Sequence, residues 1–443
     1  MENLRRKTDG MVKFIICSLV GLFVFFVPIG GRIPIDYITS FLYNLFGLPG
    51  PGANPDAPPL YIYLVLVMCI YAFVDMYLTK SYKRSGVDIV LSICKALGTI
   101  ITILVLLRVD VPYLMAPNIA PATLVSMGRS TIMIFCTAAF LPFLLDYGLI
   151  DSVGVLAKPF MRPVFKVPGI TAVVAASTFL GNFSIGLIST SRLYRAGRLT
   201  KKESAIVATG FSTISIGLML MFAQLLRISD RFLFYFISTA IVTYIITAIT
   251  VRIPPISWIK EEYCEDVPPV IEEEVKEGKL SQAVLVGAET AAKAPSIPRT
   301  VGSISLVTAK VLAGMISSSM FIIVIGLLIN DHTPVFQWLG MLFYPVLRIF
   351  NMPDIDILQR ATGLAAIDVI PAVMFGSLHD MSLAARYVLA AFPVSLIIFI
   401  GGYFTCLIST DIPIKIRYLP VLWVIRMLLA LIFYCAIALV FFG

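Results

Sequence analysis

Residues 179–186 read FLGNFSIG and residues 365–371 read AAIDVIP. Each is apolar or small except for one polar side chain, Asn182 or Asp368, and these two lie at an offset of 186. The same offset relates Gly128 to Gly314, Phe135 to Phe321, Leu156 to Leu342, and Pro159-x-x-Arg162 to Pro345-x-x-Arg348. Leu and Phe matches are cheap in an apolar chain. Coincident Gly, Pro, Arg and Asn/Asp on one ungapped diagonal mark an internal duplication. Past the two stretches the second copy has a shorter loop, after which Phe211 pairs with Phe392.

The surrounding chain sets the medium. Its 443 residues are 59% hydrophobic and 14% charged, with a mean hydropathy of +0.94. Soluble domains run near ~45–50% apolar and ~25% charged, and no soluble core hides such an excess. Phe232–Val251 holds no charge at all. The expected fold is an all-α polytopic membrane protein. At ~20 residues per crossing, about nine transmembrane helices are expected, near 11–28, 59–79, 87–107, 126–146, 204–226, 232–251, 303–330, 384–408 and 420–442.

In such a protein the net charge of +8 points to cytoplasmic loops beside anionic lipid rather than to nucleic acid. Arg5, Arg6 and Lys7 before the first span, and Lys80, Lys83 and Arg84 after the second, predict a cytoplasmic N-terminus. An external loop then carries an interfacial helix at Tyr37–Phe46. Lys158, Arg162 and Lys166 on one side of residues 169–191, and Arg192–Lys202 on the other, are both basic. One crossing cannot have two cytoplasmic ends, so 169–191 reads as a re-entrant hairpin with an elbow at Gly181–Asn182. Each copy becomes span, hairpin, span, span. Three crossings per copy is odd, so the second copy is inverted.

Four regions follow: an N-terminal three-helix region with an external loop (1–125), a first repeat (126–251), a polar cytoplasmic linker (252–302), and a second, inverted repeat (303–443). The linker's paired prolines, EEE run and alanine-rich tail read as a mobile connector. Seven scattered cysteines without a C-x-x-C pair argue against disulfides and zinc, and two histidines are too few for a metal relay. No cofactor is expected. No Ser-His-Asp, Cys-His or paired-carboxylate arrangement suggests an enzyme.

Lys158–Ser215 (KPFMRPVFKVPG…FLGNFSIGLISTSRLYRAGRLTKKESAIVATGFSTIS) resembles the Gate, or nucleoside-recognition, domain. The second copy resembles a diverged Gate, and the whole chain is similar to YjiH-like bacterial Gate proteins. The Gate domain recurs in concentrative nucleoside transporters, in the permease part of ferrous-iron transporters and in spore-maturation membrane proteins. The resemblance implies a permease-like fold in the bacterial inner membrane. It also implies a small separate Gate protein as partner, and a homo- or hetero-oligomer. It does not imply nucleosides, because one domain serves unrelated cargo. The chain has no phosphate-binding G-x-x-x-x-G-K-[ST] loop, so it is not a complete iron transporter of that design.

Inverted repeats with paired broken segments place a substrate site near the midplane. The expected function is a secondary transporter or permease subunit that moves a small polar solute, nucleoside-like compounds among the candidates, with a cation or proton. The rival is a scaffold or sensor acting through a partner. Asp368 is the candidate for the coupling ion, since a buried carboxylate needs a cation, a proton or a partner. Asn182, Ser184, Ser189, Thr190, Ser212 and Gln224 are the candidate solute contacts. Capping and back-bonding to their own helices are the plainer roles for Asn, Ser and Thr. Lys95, mid-span and too deep to snorkel, is expected to pair with an intramembrane carboxylate such as Asp368 or to face water. Arg162 and Arg348 are expected to anchor the two hairpins at opposite interfaces.

Overall fold

In a computed structural model, the described residues are 2–27, 29–30, 33–49, 58–80, 86–180, 183–265, 267–269, 279–396, 398, 403–408 and 410–442. All the elements they form are helical. The N-terminal region holds α1 (Glu2–Phe26), α2 (Pro34–Leu45), α3 (Leu60–Leu78) and α4 (Gly86–Leu106). Pro34 opens α2 at the position where a missing N–H costs nothing, and Asp36 sits in its first turn against the positive end of the dipole. Large apolar side chains stay exposed on α1, α3 and α4, Leu19, Val67 and Val90 among them. Those faces are built for lipid.

The region expected to form the first repeat holds α5 (Ala120–Phe140), α6 (Pro142–Leu145), α7 (Leu149–Phe160), α8 (Thr171–Leu180), α9 (Phe183–Arg195), α10 (Lys201–Phe211), α11 (Ile216–Leu225) and α12 (Phe232–Thr250). α13 (Lys279–Lys293) leads into the region expected to form the second: α14 (Ile297–His332), α15 (Val335–Gly340), α16 (Tyr344–Ile349), α17 (Ile355–Leu364), α18 (Val369–Ser377), α19 (Leu383–Leu396), α20 (Thr405–Ile408) and α21 (Tyr418–Phe442). Among the described residues, eight helical stretches are long and apolar enough to cross a membrane; α19 is a shorter apolar helix. The chain is a multi-pass membrane protein.

The expected continuous span 204–226 is instead a broken helix. α10 ends at Phe211, Ser212–Ser215 are non-helical, and α11 starts at Ile216. A break in hydrocarbon is tolerated only where the freed carbonyls find donors. Here three of them find side-chain donors. Tyr403 donates to the Ala208 carbonyl at 3.0 Å, Thr247 to Gly210 at 2.7 Å, and Thr178 to Phe211 at 2.7 Å. Ser215 then caps α11 by accepting from the Leu218 N–H at 3.3 Å. The stretch is buried almost throughout, so the break lies at the protein's centre and not toward lipid.

The expected mobile linker also needs correction. Residues 259–265 run beside α10, where the Lys201 N–H donates to the Glu262 carbonyl at 2.7 Å. α13 packs against α1 and α7. Small residues allow it: Ala283, Ala288 and Ala291 are buried. A Cβ on Gly148, which sits at φ +90°, would lie 2.1 Å from the Gly287 carbonyl. Alanine and glycine read as polar-linker filler in composition, yet they are what lets two helices approach closely. α14 starts before the expected span and runs 36 residues, about 54 Å at 1.5 Å per residue, more than one bilayer core. It lies tightly on α4, where a Cβ on Gly98 would meet the Ser317 carbonyl at 1.9 Å.

Candidate functional site

Two helical hairpins frame the centre: α8 with α9, and α17 with α18. They engage the two arms of the broken α10–α11 helix separately. α9 packs on α10 and α20, while α18 packs on α11, α14 and α19. Gly186 of α9 supplies the close approach in the first hairpin. A Cβ there would lie 1.9 Å from Thr178 Cγ2 and 3.9 Å from Ser212 Oγ. Thr178 and Thr213 complete the junction, Thr213 donating to the Thr178 carbonyl at 3.2 Å. One hairpin and one helix break therefore meet in a knot of small and hydroxyl side chains.

The expected site residues distribute unevenly over this frame. Asn182 lies outside the described residues, and Ser184 is placed on α9 without its side chain. Ser189 is half-buried on α9. Thr190 is buried and donates to the Gly186 carbonyl of its own helix at 2.7 Å. Ser212 is buried at the break. Asp368 opens α18 as its N-cap, with Oδ1 accepting from the Ile370 N–H at 3.0 Å. Its 9% exposure and its place at the start of a half-helix put a carboxylate where the helix dipole favours negative charge.

Gln224 is not at the break. It sits at the far end of α11, where Nε2 donates to Asp36 Oδ1 at 2.8 Å and Tyr43 donates to Oε1 at 3.0 Å. That cluster ties α2 to the broken helix. Lys95 does not meet Asp368. Its ammonium lies beside Gly314 of α14, about 3.6 Å from where a Cβ would be, with no carboxylate at ion-pair distance among the described residues. That is ordinary van der Waals distance, so the lysine packs along α14 at this crossing. Arg162 lies 3.8 Å from Glu203. Glu203 also closes a capping box with Thr200 at the start of α10, so this arginine faces the entry of the broken helix. Arg348 is exposed on α16.

Outside the spans, ion pairs fasten the ends of the mobile-looking parts. Arg195 at the end of α9 pairs with Asp411 beyond α20, and Ser191 shares that carboxylate at 3.3 Å. The guanidinium holds the Asp411 carboxyl below its ordinary range. Lys201 does the same to Glu262, at 3.0 Å, aided by Lys260.

One residue of consequence was passed over in the sequence. Arg426, within α21, is 1% exposed and donates through Nε to the Ser395 carbonyl at 3.0 Å. The signal was present: an arginine inside VLWVIRMLLALIFYCAIAL breaks a run that is otherwise uncharged.

Residues 129–229 match the family model described as Gate, nucleoside recognition. An uncharacterised protein of Alkalihalophilus pseudofirmus is 26% identical over 452 residues, covering 98% of this chain and 96% of that one. The sporulation integral membrane protein YlbJ of Bacillus subtilis is 35% identical over 66 residues, 15% of this chain and 16% of its own length. The solved structure of CNTnw in an inward-facing substrate-bound state superposes with a TM-score of 0.51 at 13% identity, covering 97% of this chain and 99% of that one. At that identity the likeness is one of fold. The chain thus carries a Gate, nucleoside-recognition, segment within the multi-pass helical fold of the concentrative nucleoside transporter CNTnw.

Proposed function

We propose that this protein is a secondary transporter, or the permease subunit of one, in a bacterial inner membrane with its N-terminus cytoplasmic. The observation that carries the reading is the packing of two hairpins on the interrupted α10–α11 helix, α9 on α10 and α18 on α11. Interrupted helices bring backbone dipoles and polar groups to the midplane, where a solute can be held between elements able to rock apart. The solute is small and polar, and it binds at the junction of α9, α18 and the Ser212–Ser215 break. Asp368 takes the coupling cation or proton: as a cap it uses one oxygen on the Ile370 N–H and retains acceptor capacity. The described hydroxyls of α9 and α10 shape the junction more than they line it, since Thr190 and Thr209 bond back to their own helices.

A scaffold or sensor role beside a small Gate partner is the second reading, favoured by those satisfied hydroxyls and by the capping bond of Asp368. Vesicles containing the purified protein separate the two. With an imposed sodium or proton gradient, a transporter accumulates labelled uridine or another small polar solute, and Asp368→Asn abolishes the gradient-driven part. Absence of accumulation under both gradients across nucleosides, bases and amino acids would support the scaffold.

A further inference from the structure

The interior of α21 holds a charge for which the described residues offer no opposite. Among the described residues, Arg426 Nη2 has no hydrogen-bond partner and no carboxylate lies at ion-pair distance from the guanidinium. The ionisable groups around it are the phenols Tyr403 and Tyr434. Three residues earlier, the Trp423 ring is buried against Phe343 at 5.3 Å, and its indole N–H is unpartnered as well. Residues three apart share a helix face. One face of α21 therefore carries two buried donors that lack acceptors.

An indole and a guanidinium can only donate, so what they lack is an acceptor. A guanidinium buried without an opposite charge is destabilising. The Ser395 carbonyl, in the last turn of α19, offsets part of this through the negative end of that helix. A hydroxyl would have sufficed for that carbonyl, as Thr247 and Thr178 show at Gly210 and Phe211. The planar fork adds a permanent charge and bidentate geometry suited to carboxylate or phosphate. Around it, Ser395 Oγ is hydrogen-bonded to Tyr434 at 2.5 Å and Thr243 at 2.7 Å. This chain of hydroxyls can turn donors toward an anion or away from it.

We propose that Arg426, with Trp423 beside it, forms an oxyanion subsite that receives the carboxylate or phosphate of the transported solute. The word "transported" rests on the function proposed above; the subsite itself does not. The site is then charge-balanced on loading, with a cation at Asp368 and an anion at Arg426.

The test uses the full-length protein in detergent. Unfolding is followed by the reactivity of the buried cysteines Cys17, Cys69 and Cys435. The probes are sodium phosphate and sodium acetate against chloride at matched ionic strength, and uridine against uridine 5′-monophosphate. At least one oxyanion should raise Tm by about 2 °C or more over its control, with phosphate and acetate separating the two chemistries. In Arg426→Gln that shift should vanish while the unliganded Tm holds or rises, because a buried charge without an opposite has been removed. Arg426→Lys should keep part of the shift and carries the test if the glutamine variant fails to fold. Trp423→Phe should reduce it.

Three results would overturn the subsite: no oxyanion-specific shift in the unaltered protein, an equal shift in Arg426→Gln, or a large Tm loss in Arg426→Gln that Asp368→Asn restores. The last would make Arg426 the partner of Asp368 in another conformation. Oxyanion binding without any uptake into vesicles would sink the transport reading and leave the subsite standing. Uptake of an oxyanion-bearing solute such as uridine 5′-monophosphate unchanged by Arg426→Gln would sink the subsite alone.

Discussion

The two places where α10 and α19 stop inside the protein solve one problem with different chemistry. At the end of α10, the carbonyls of Ala208, Gly210 and Phe211 are taken by the hydroxyls of Tyr403, Thr247 and Thr178, all neutral. At the end of α19, the Ser395 carbonyl is taken by the guanidinium of Arg426. A neutral hydroxyl satisfies a carbonyl and asks for nothing more. A guanidinium satisfies one and leaves a positive charge and further donors behind it. The first junction meets these carbonyls with neutral hydroxyls alone, whereas the second is poised to take an acceptor from elsewhere.

The comparison breaks most readily at Gly210. A Cβ there would lie 2.4 Å from Thr247 Cγ2, on the side chain that holds the Gly210 carbonyl. Gly210→Leu should destabilise by about 3 kcal/mol, measured by unfolding in detergent, since overpacking and loss of the hydroxyl coincide. A change below 1 kcal/mol would mean the junction is loose.

Thr247→Val keeps the shape and deletes the donor. A cost of about 1–2 kcal/mol is expected from the buried carbonyl left unpaired. Arg426→Gln at the other junction should cost nothing, so unfolding midpoints of the two variants measured side by side sharpen the contrast. Equal losses would erase it.

Smaller still is Asp368→Asn. Asparagine caps a helix about as well as aspartate, so its effect on stability should stay within about 0.5 kcal/mol while gradient-driven uptake disappears. A loss of several kcal/mol with uptake intact would make the carboxylate purely structural.

The smallest expected effect is at the surface, where Arg195 and Asp411 join α9 to the segment after α20. Arg195 holds the Asp411 carboxyl below its ordinary range. The tether is therefore complete at neutral pH and weakens only as pH falls below about 4, through the lowered range of that carboxyl. Asp411→Asn should remove this acid sensitivity and leave stability at pH 7 almost unchanged, because exposed pairs contribute little. Acid titration of the unfolding midpoint checks it.

How much of this could be read in advance differs from element to element. The uncharged run Phe232–Val251 announced a spanning helix, and the structure places α12 at Phe232–Thr250. The 212–215 break was not announced. Its residues, Ser-Thr-Ile-Ser, continue an apolar span, and what permits the break is donors on Thr178, Thr247 and Tyr403, up to 195 positions away. α13 was misread for a related reason: its composition suits a linker, and its packing depends on glycines at positions 148 and 287 meeting across the fold.

For the site, Asp368 was legible because a carboxylate in an apolar stretch must be explained by something, and Arg426 was legible on the same rule. Gln224 was placed with the solute because it shares a span with Ser212, yet the fold gives it to Asp36 and Tyr43. Lys95 is expected from its depth to pair with a carboxylate such as Asp368 or to face water, and the fold sets the lysine against Gly314, away from any described carboxylate. Composition and local pattern alone determined the medium, the helical class and the residues too costly to bury idly, since transfer free energies belong to each side chain wherever it goes. Only the tertiary structure decided which helix stops, which carbonyl meets which donor and which charge is left without an opposite. Those depend on distances between residues far apart in the chain, which local sequence does not encode.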